Sequence, residues 1–296
     1  MKPPSKPTKH PTTTAATTSP TALVLRCAGR AVGRYHYRPA LAPDLSPRPY
    51  LHPVTTLRGT PVTEERPDDH LHHLGVSVAV PDVAGINFWG GRTFVRDRGP
   101  TPLDNHGEQR HQDWKLRDPD GFVEDLSWSS GGHELLRERR TVAATELTDT
   151  AWALDFTYSL TNRGTEDLSI GSPATNGRPG AGYGGFFWRA PRAATPPTVH
   201  TADAEGESSV HGRTAPWLAL TGPDWTLVFA GATEETRKDP WFVRTEEYPG
   251  VGSSLAWDTR LPFPAGATVV RRVVTVVADG ALERAEAAAL VRKALS

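Results

Sequence analysis

His70, His72 and His73 stand directly behind Asp68 and Asp69. With His106 and His111 they place five of the eleven histidines between positions 70 and 111. Imidazole supports two kinds of chemistry here. It is an acid–base group near neutral pH, and it is a ligand for Zn, Cu, Fe or Ni. In an extended segment His70 and His72 share a face and His73 points away, because side chains alternate along a strand. Opposing imidazoles then have to come from the 104–111 loop, from His106 or His111, with Asp69 or Glu108 as a carboxylate. His70, His72, His106 and His111 are therefore the candidate catalytic residues. The same four are the candidate ligands if a divalent metal is bound. The plain alternative is that these rings end strands and bond backbone carbonyls.

Metal and cofactor templates fit poorly. His133-Glu134-Leu135-Leu136-Arg137 has Arg where a zinc helix needs its second His. A cupin-style site wants a Glu soon after His-x-His, and His73, Leu74, Gly75 and Val76 follow His72 instead. Gly180-Ala181-Gly182-Tyr183-Gly184-Gly185 matches the spacing of a dinucleotide fingerprint, but Pro179 precedes it and Phe186-Phe187-Trp188-Arg189 follows. That fingerprint needs a strand before it and a helix after it. A turned loop placing Tyr183, Trp188 and Arg189 is the better reading. There is no Gly-x-Ser-x-Gly elbow, and Cys27 has no activating motif beside it. No cofactor is required by the sequence, and a divalent metal is the one that stays open.

The elements that must position these residues read as strands. Twenty-seven Gly and twenty-seven Pro argue for many turns and against long helices. Trp152, Leu154, Phe156, Tyr158 and Leu160 alternate with small or polar residues, the period of a strand. Residues 217–220 and 225–230 read as a hairpin. Segments 21–25, 34–38, 50–57, 75–80 and 269–277 read as further strands. Ala281 to Leu295 is the one helical stretch. The Gly/Pro-rich region 165–215 is expected to supply long loops over one face. The fold expected is all-β: a large antiparallel sandwich with one C-terminal helix, forming a single domain over 21–296 behind a disordered tail, 1–20.

Composition narrows the function. Net charge is −1, so nucleic acid and anionic membrane are not expected partners. No apolar run approaches the roughly 20 residues of a membrane span. One cysteine excludes an internal disulfide and suits a cytoplasmic location. Nothing in the sequence sets the oligomeric state.

Several segments together resemble the bacterial PmoA-like family. They are Pro67-Asp68-Asp69-His70-Leu71-His72-His73-Leu74-Gly75, Val83 to Arg92, Asp104-Asn105-His106-Gly107, Ala174 to Arg189, and Asp239-Pro240-Trp241-Phe242-Val243-Arg244. The resemblance runs from about Tyr50 to Asp279. It implies a β supersandwich similar to galactose mutarotase and a carbohydrate ligand, through an association with sugar catabolism and sugar oxidoreductases of the Gfo/Idh type. It assigns no catalytic residue. The label shares its name with a membrane-embedded methane monooxygenase subunit, whose activity is not carried over.

The expectation is an enzyme of isomerase, lyase or hydrolase type. It would act on a sugar or oxidised sugar derivative by histidine acid–base chemistry in a cleft on the sandwich. Trp89 or Trp241 would stack a pyranose ring, and Asp69, Arg92, Arg189 or Arg244 would hold carboxylate or hydroxyls. Against these stand core packing for each Trp and ion pairing for each Arg. Two other readings remain: a metal-dependent enzyme with a His cluster, and a non-catalytic carbohydrate-binding protein.

Overall fold

The computed structural model describes residues 21–296, and the tail expected over 1–20 lies outside them. Two large antiparallel sheets face each other. The smaller has seven strands, in the order Ala22–Cys27, Arg30–His36, Tyr50–Val54, Val76–Ala79, Gly185–Arg189, Gly250–Ser254 and Trp241–Arg244. The larger has eight: Thr198–His200, Leu218–Thr221, Trp225–Gly231, Thr268–Asp279, Ala151–Asn162, His133–Glu146, Gly121–Ser130 and Glu108–Asp118. The fold is an all-β sandwich with one C-terminal helix, Arg284–Leu295.

Alternation decides what goes inside. Along Ala151–Asn162 the residues Trp152, Leu154, Phe156, Tyr158 and Leu160 enter the central core, while Ala151 and Ala153 face outward. The pairing partner Thr268–Asp279 behaves likewise, with Val273 and Val277 inside and Val274 and Val276 outside. The opposing sheet supplies Val76, Val78, Phe186, Trp188, Trp241, Val243 and Val251 to the same core. Several buried indole N–H groups find acceptors along this core: Trp152 on Thr55 O, Trp188 on Val62 O, Trp241 on Ala215 O and Trp128 on Glu138.

The helix lies on the outer face of the larger sheet, where Ala287 and Val291 meet Ala153, Ala219, Val228 and Val276. Glu283 and Glu286 close its first turn as a capping box.

Two expectations are corrected. The 165–215 region is not loop throughout. It contains Leu168–Gly171, Thr198–His200 and the interior strand Gly185–Arg189, whose five residues are all buried. His111 is not in a loop either, but in the long strand Glu108–Asp118.

Candidate functional site

The outer face of the smaller sheet exposes the other half of its alternation. Ala79, Phe187 and Phe242 stand there, and Trp89, Tyr183, Tyr248 and Trp257 pack on them. A cleft of about 690 Å³ opens over this aromatic patch, walled by His70, His72 and His73. Tyr183 lies on Trp89 with ring centroids 4.5 Å apart and meets Phe242 edge-on at 5.3 Å.

The histidine segment is two successive turns and not a strand. The His70 N–H donates to Pro67 O at 2.8 Å and the His73 N–H to His70 O at 2.9 Å. The turns are closed by Arg66 N–H donating to His73 O and Gly75 N–H to Glu64 O. The expected split between His73 and the other two therefore fails. His70 stacks on His73 at 4.6 Å, and His72 stands edge-on to His73 at 4.8 Å. His73 is buried against Trp89, Phe187 and Tyr248.

Polar clamps hold the loops over the sheet. Arg48 is fully buried and donates to the carbonyls of Leu45, Ser46, Trp89 and His72, the last at 2.6 Å. Asn87 Oδ1 accepts from the N–H groups of Trp89 and Gly90, shaping the turn that presents Trp89. His106 Nε2 donates to Gly91 O at 2.7 Å. Gly90 and Gly91 have φ of +99° and +68°, and a Cβ on Gly91 would lie 2.9 Å from His72 Nδ1. Only glycine lets His72 lie so close to this turn.

Electrostatics separate the three rings. Burial, the Arg48 charge and the neighbouring histidines push His72 down to about 3. Burial and His72 push His73 well below its usual value. Both are neutral imidazoles at pH 7. His70 is a third exposed, with Nδ1 3.0 Å from Asp69 Oδ2. Burial opposes ionisation of Asp69, but the hydrogen bond from Arg192 and the nearby His70 ring outweigh it and hold its carboxyl below the usual value. Burial raises the Tyr248 hydroxyl well above its ordinary range, so it stays a donor.

The expected residues divide. His70, His72, Asp69, Trp89, Arg92 and Arg244 line the cleft. Arg92 has no ion-pair partner among the described residues, whereas Arg244 is engaged by Glu207 at 3.3 Å. His106 is one layer back, spent on Gly91 O. His111 is elsewhere, its Nδ1 2.6 Å from buried Glu124. Trp241 is a core residue, because alternation turns its neighbour Phe242 toward the cleft instead. Arg189 is buried, pairs with Glu64 at 2.6 Å and props Tyr248, its guanidinium 4.7 Å from that ring.

A metal set does not assemble. Among the described residues no three His, Cys, Asp or Glu side chains are placed to share an ion. The rings stack instead of converging, and His106 and His111 already have partners.

Sequence reasoning missed His73, Arg48, Phe242 and Tyr248. The Pro67-Asp68-Asp69 turn chemistry was the available signal for His73. Alternation about Trp241 pointed to one of the pair 241/242 without saying which. Arg48 and Tyr248 carry no local pattern.

Comparison with known proteins adds a family and little else. No curated protein matches the sequence. Among solved structures, heparan sulfate lyase HepC from Pedobacter heparinus is similar at TM-score 0.30 and 13% identity, over 62% of this chain and 24% of that one. A heparinase III BT4657 gene product aligns at TM-score 0.26 and 11% identity, over 63% of this chain and 23% of that one. The chain thus spans about a quarter of those lyases, and likeness at this level carries no argument. The matching family model bears a different description from the PmoA-like one that the motifs resemble. It covers residues 22–292, and the chain belongs to that family of unknown function, DUF6807.

Proposed function

We propose that this chain is an enzyme acting on a sugar or oxidised sugar derivative, bound in the cleft on the outer face of the smaller sheet. The observation that carries this reading is the make-up of the cleft: aromatic faces below, imidazoles at the side, charged groups at the rim. A pyranose ring has matching parts, an apolar face that stacks on aromatic rings and a polar edge that needs both donors and acceptors. Neutral His72 accepts or donates a single hydrogen bond, and Arg92 suits a carboxylate or hydroxyls. His70, oriented by Asp69, is the acid–base group. The Asp69 carboxylate stands 3.0 Å from its Nδ1, the placement of a carboxylate that orients an imidazole. Isomerisation, elimination and hydrolysis all use such a proton transfer. The resemblance to PmoA-like proteins points the same way. No metal is needed for this chemistry. Buried Cys27, whose thiol burial pushes up, is in keeping with a cytoplasmic location, which is part of the same proposal.

The test is a panel of neutral sugars and their uronic and aldonic acids, followed for binding by saturation-transfer NMR and for product. One or more should be turned over, and His70→Ala should lower kcat by about 10²–10⁴ with a smaller effect on KM. Unchanged turnover in that variant defeats the catalytic role. Binding without turnover across the panel would replace it with a carbohydrate-binding protein.

A further inference from the structure

A small hairpin, Thr93–Val95 paired with Gly99–Thr101, stands beside the cleft and belongs to neither large sheet. Thr93 pins it to the body of the protein. The Thr93 hydroxyl donates to Asn105 Oδ1 at 2.9 Å and accepts from Asn87 Nδ2 at 3.1 Å. Alternation turns Phe94 the other way, to the side of its pairing partner Pro100. Pro100 lines the cleft, and so does Arg92 at the foot of the hairpin. Arg96, past the end of the first strand, crosses to the next loop and donates to Thr175 O at 3.2 Å. Its guanidinium lies over Gly177, where a Cβ would come 3.1 Å from it. The following residue, Arg178, lines the cleft beside Tyr183. Hairpin and loop thus bring three guanidinium groups to one wall.

None of the three has an ion-pair partner among the described residues, whereas Arg244 and Arg260 nearby are held by Glu207 and Asp82. Asp44 is the cleft-lining acid next to this wall, through its carbonyl to the Gly91 N–H. The other lining acids stand on the histidine side, where Arg192 bonds the Asp69 carboxylate at 2.5 Å and Glu247 O at 2.9 Å. Behind the cleft, Arg48 is fully buried and spends its N–H groups on carbonyls and the Ser77 hydroxyl, so its charge also lacks a counter-ion. A buried charge without a partner is costly, and an anion nearby relieves that cost. The cleft also has room for more than one ring. Its volume of about 690 Å³ falls within the roughly 300–1,000 Å³ of sites that hold drug-sized ligands.

We propose that the ligand of this cleft is an acidic oligosaccharide, with one uronate ring against Tyr183, its carboxylate within reach of Arg92 and Arg178, and the carboxylate of a neighbouring unit on Arg96. The planar guanidinium fork meets a carboxylate with two parallel hydrogen bonds, which a neutral sugar does not offer. This rests on the carbohydrate reading and narrows it from any sugar to a chain of uronates.

Trigalacturonate and trimannuronate, one α-linked and one β-linked, are the probes. Their methyl esters are the uncharged counterparts, their monomers the short forms, and citrate a trianion without a sugar ring. Each is titrated into the full-length protein by calorimetry. At least one trimer should bind with Kd at or below about 1 mM. It should bind about tenfold tighter than its ester and its monomer, and more weakly as salt rises. Arg96→Gln, an exposed change, should cut the advantage of trimer over monomer to about threefold or less, and Arg178→Gln should weaken both about tenfold. Esters that bind as tightly as the acids would leave the carbohydrate reading standing and overturn this one. Citrate matching the trimer, a trimer no tighter than its monomer, or an unaffected Arg96→Gln variant would each overturn it too. If neither trimers nor esters bind, the acidic ligand is excluded, and the neutral-sugar panel alone decides the carbohydrate reading.

Discussion

The two outer faces of the sandwich solve the same covering problem in opposite ways. On the part of the larger sheet beneath the helix the outward strand residues are small: Ala151, Ala153, Ala219, Val228, Ala230, Val274 and Val276. A flat apolar surface accepts a helix, and Ala287 and Val291 complete the seal. On the smaller sheet the outward residues include Phe187 and Phe242, which stand too tall and too far apart for a helix to lie flush. Loops cover that face instead, and loops bring backbone polar groups that must be satisfied. Arg48, Asn87 and His106 supply those hydrogen bonds. Beneath the helix the larger sheet's outer face is closed by hydrophobic area. The other is held by side-chain clamps and keeps a cleft.

If clamps hold the cleft, removing the largest one should do the most damage. Arg48→Met leaves several buried carbonyls without a donor and should cost about 2–4 kcal/mol in urea unfolding. It should also raise the His72 titration seen by NMR, because the Arg48 charge is second only to burial in lowering it. A stability loss under about 1 kcal/mol would mean water replaces the clamp readily.

Acid should act on the clamped face next. His72 has a folded-state value lowered to about 3, against roughly 6.5 for an unfolded histidine. Between those values the unfolded chain binds the extra proton, so the contribution is complete above about pH 6.5 and is lost as pH falls toward 3. By pH 5 the loss from His72 should be about 2 kcal/mol. His72→Asn should flatten that part of the stability–pH curve. An identical slope in wild type and variant would show that His72 is not held neutral.

How much of this was legible depended on whether one strand could be read without its neighbours. The nine residues from Trp152 to Leu160 alternate cleanly because one side meets the core while the other meets the helix only at Ala153 and then carries the part-exposed polar residues Asp155, Thr157 and Ser159. Gly185–Arg189 could not be read, because an interior strand buried on both faces has no alternation to show. Trp241 and Phe242 show the same limit at the site. Alternation says they face opposite ways, but only the pairing of Trp241–Arg244 with Gly250–Ser254 decides which one meets the cleft. The histidines were visible as a cluster. Their stacking on one another was not, because a Pro-Asp-Asp turn replaced the strand that would have split them. His111 was close in sequence and far in space, since its long strand carries it to the other sheet.

A smaller effect separates contact from backbone strain within the loop. Gly91→Ala places a methyl 2.9 Å from His72 Nδ1 at φ +68°, whereas Gly85→Ala at φ +90° meets nothing within 4 Å. Both should lose about 1–2 kcal/mol from the left-handed conformation. Gly91→Ala alone should displace the His72 ring resonances and weaken binding in the cleft. Equal behaviour of the two variants would remove His72 packing from the account.

The mildest change tests the sealed face. Val291→Ala removes two methyl groups from beneath the helix and should cost about 1.5 kcal/mol, at roughly 0.8 kcal/mol per buried carbon. Small neighbours such as Ala153 and Ala230 leave little to collapse into the gap, so the loss should not be much softened by repacking. The ring resonances of His70, His72 and His73 should not move, because the whole sandwich core lies between helix and cleft. If they do move, or if cleft binding changes by more than the lost stability allows, the two faces are coupled through the core. The helix would then be part of what shapes the cleft, and the contrast between a sealed face and a clamped one would fail.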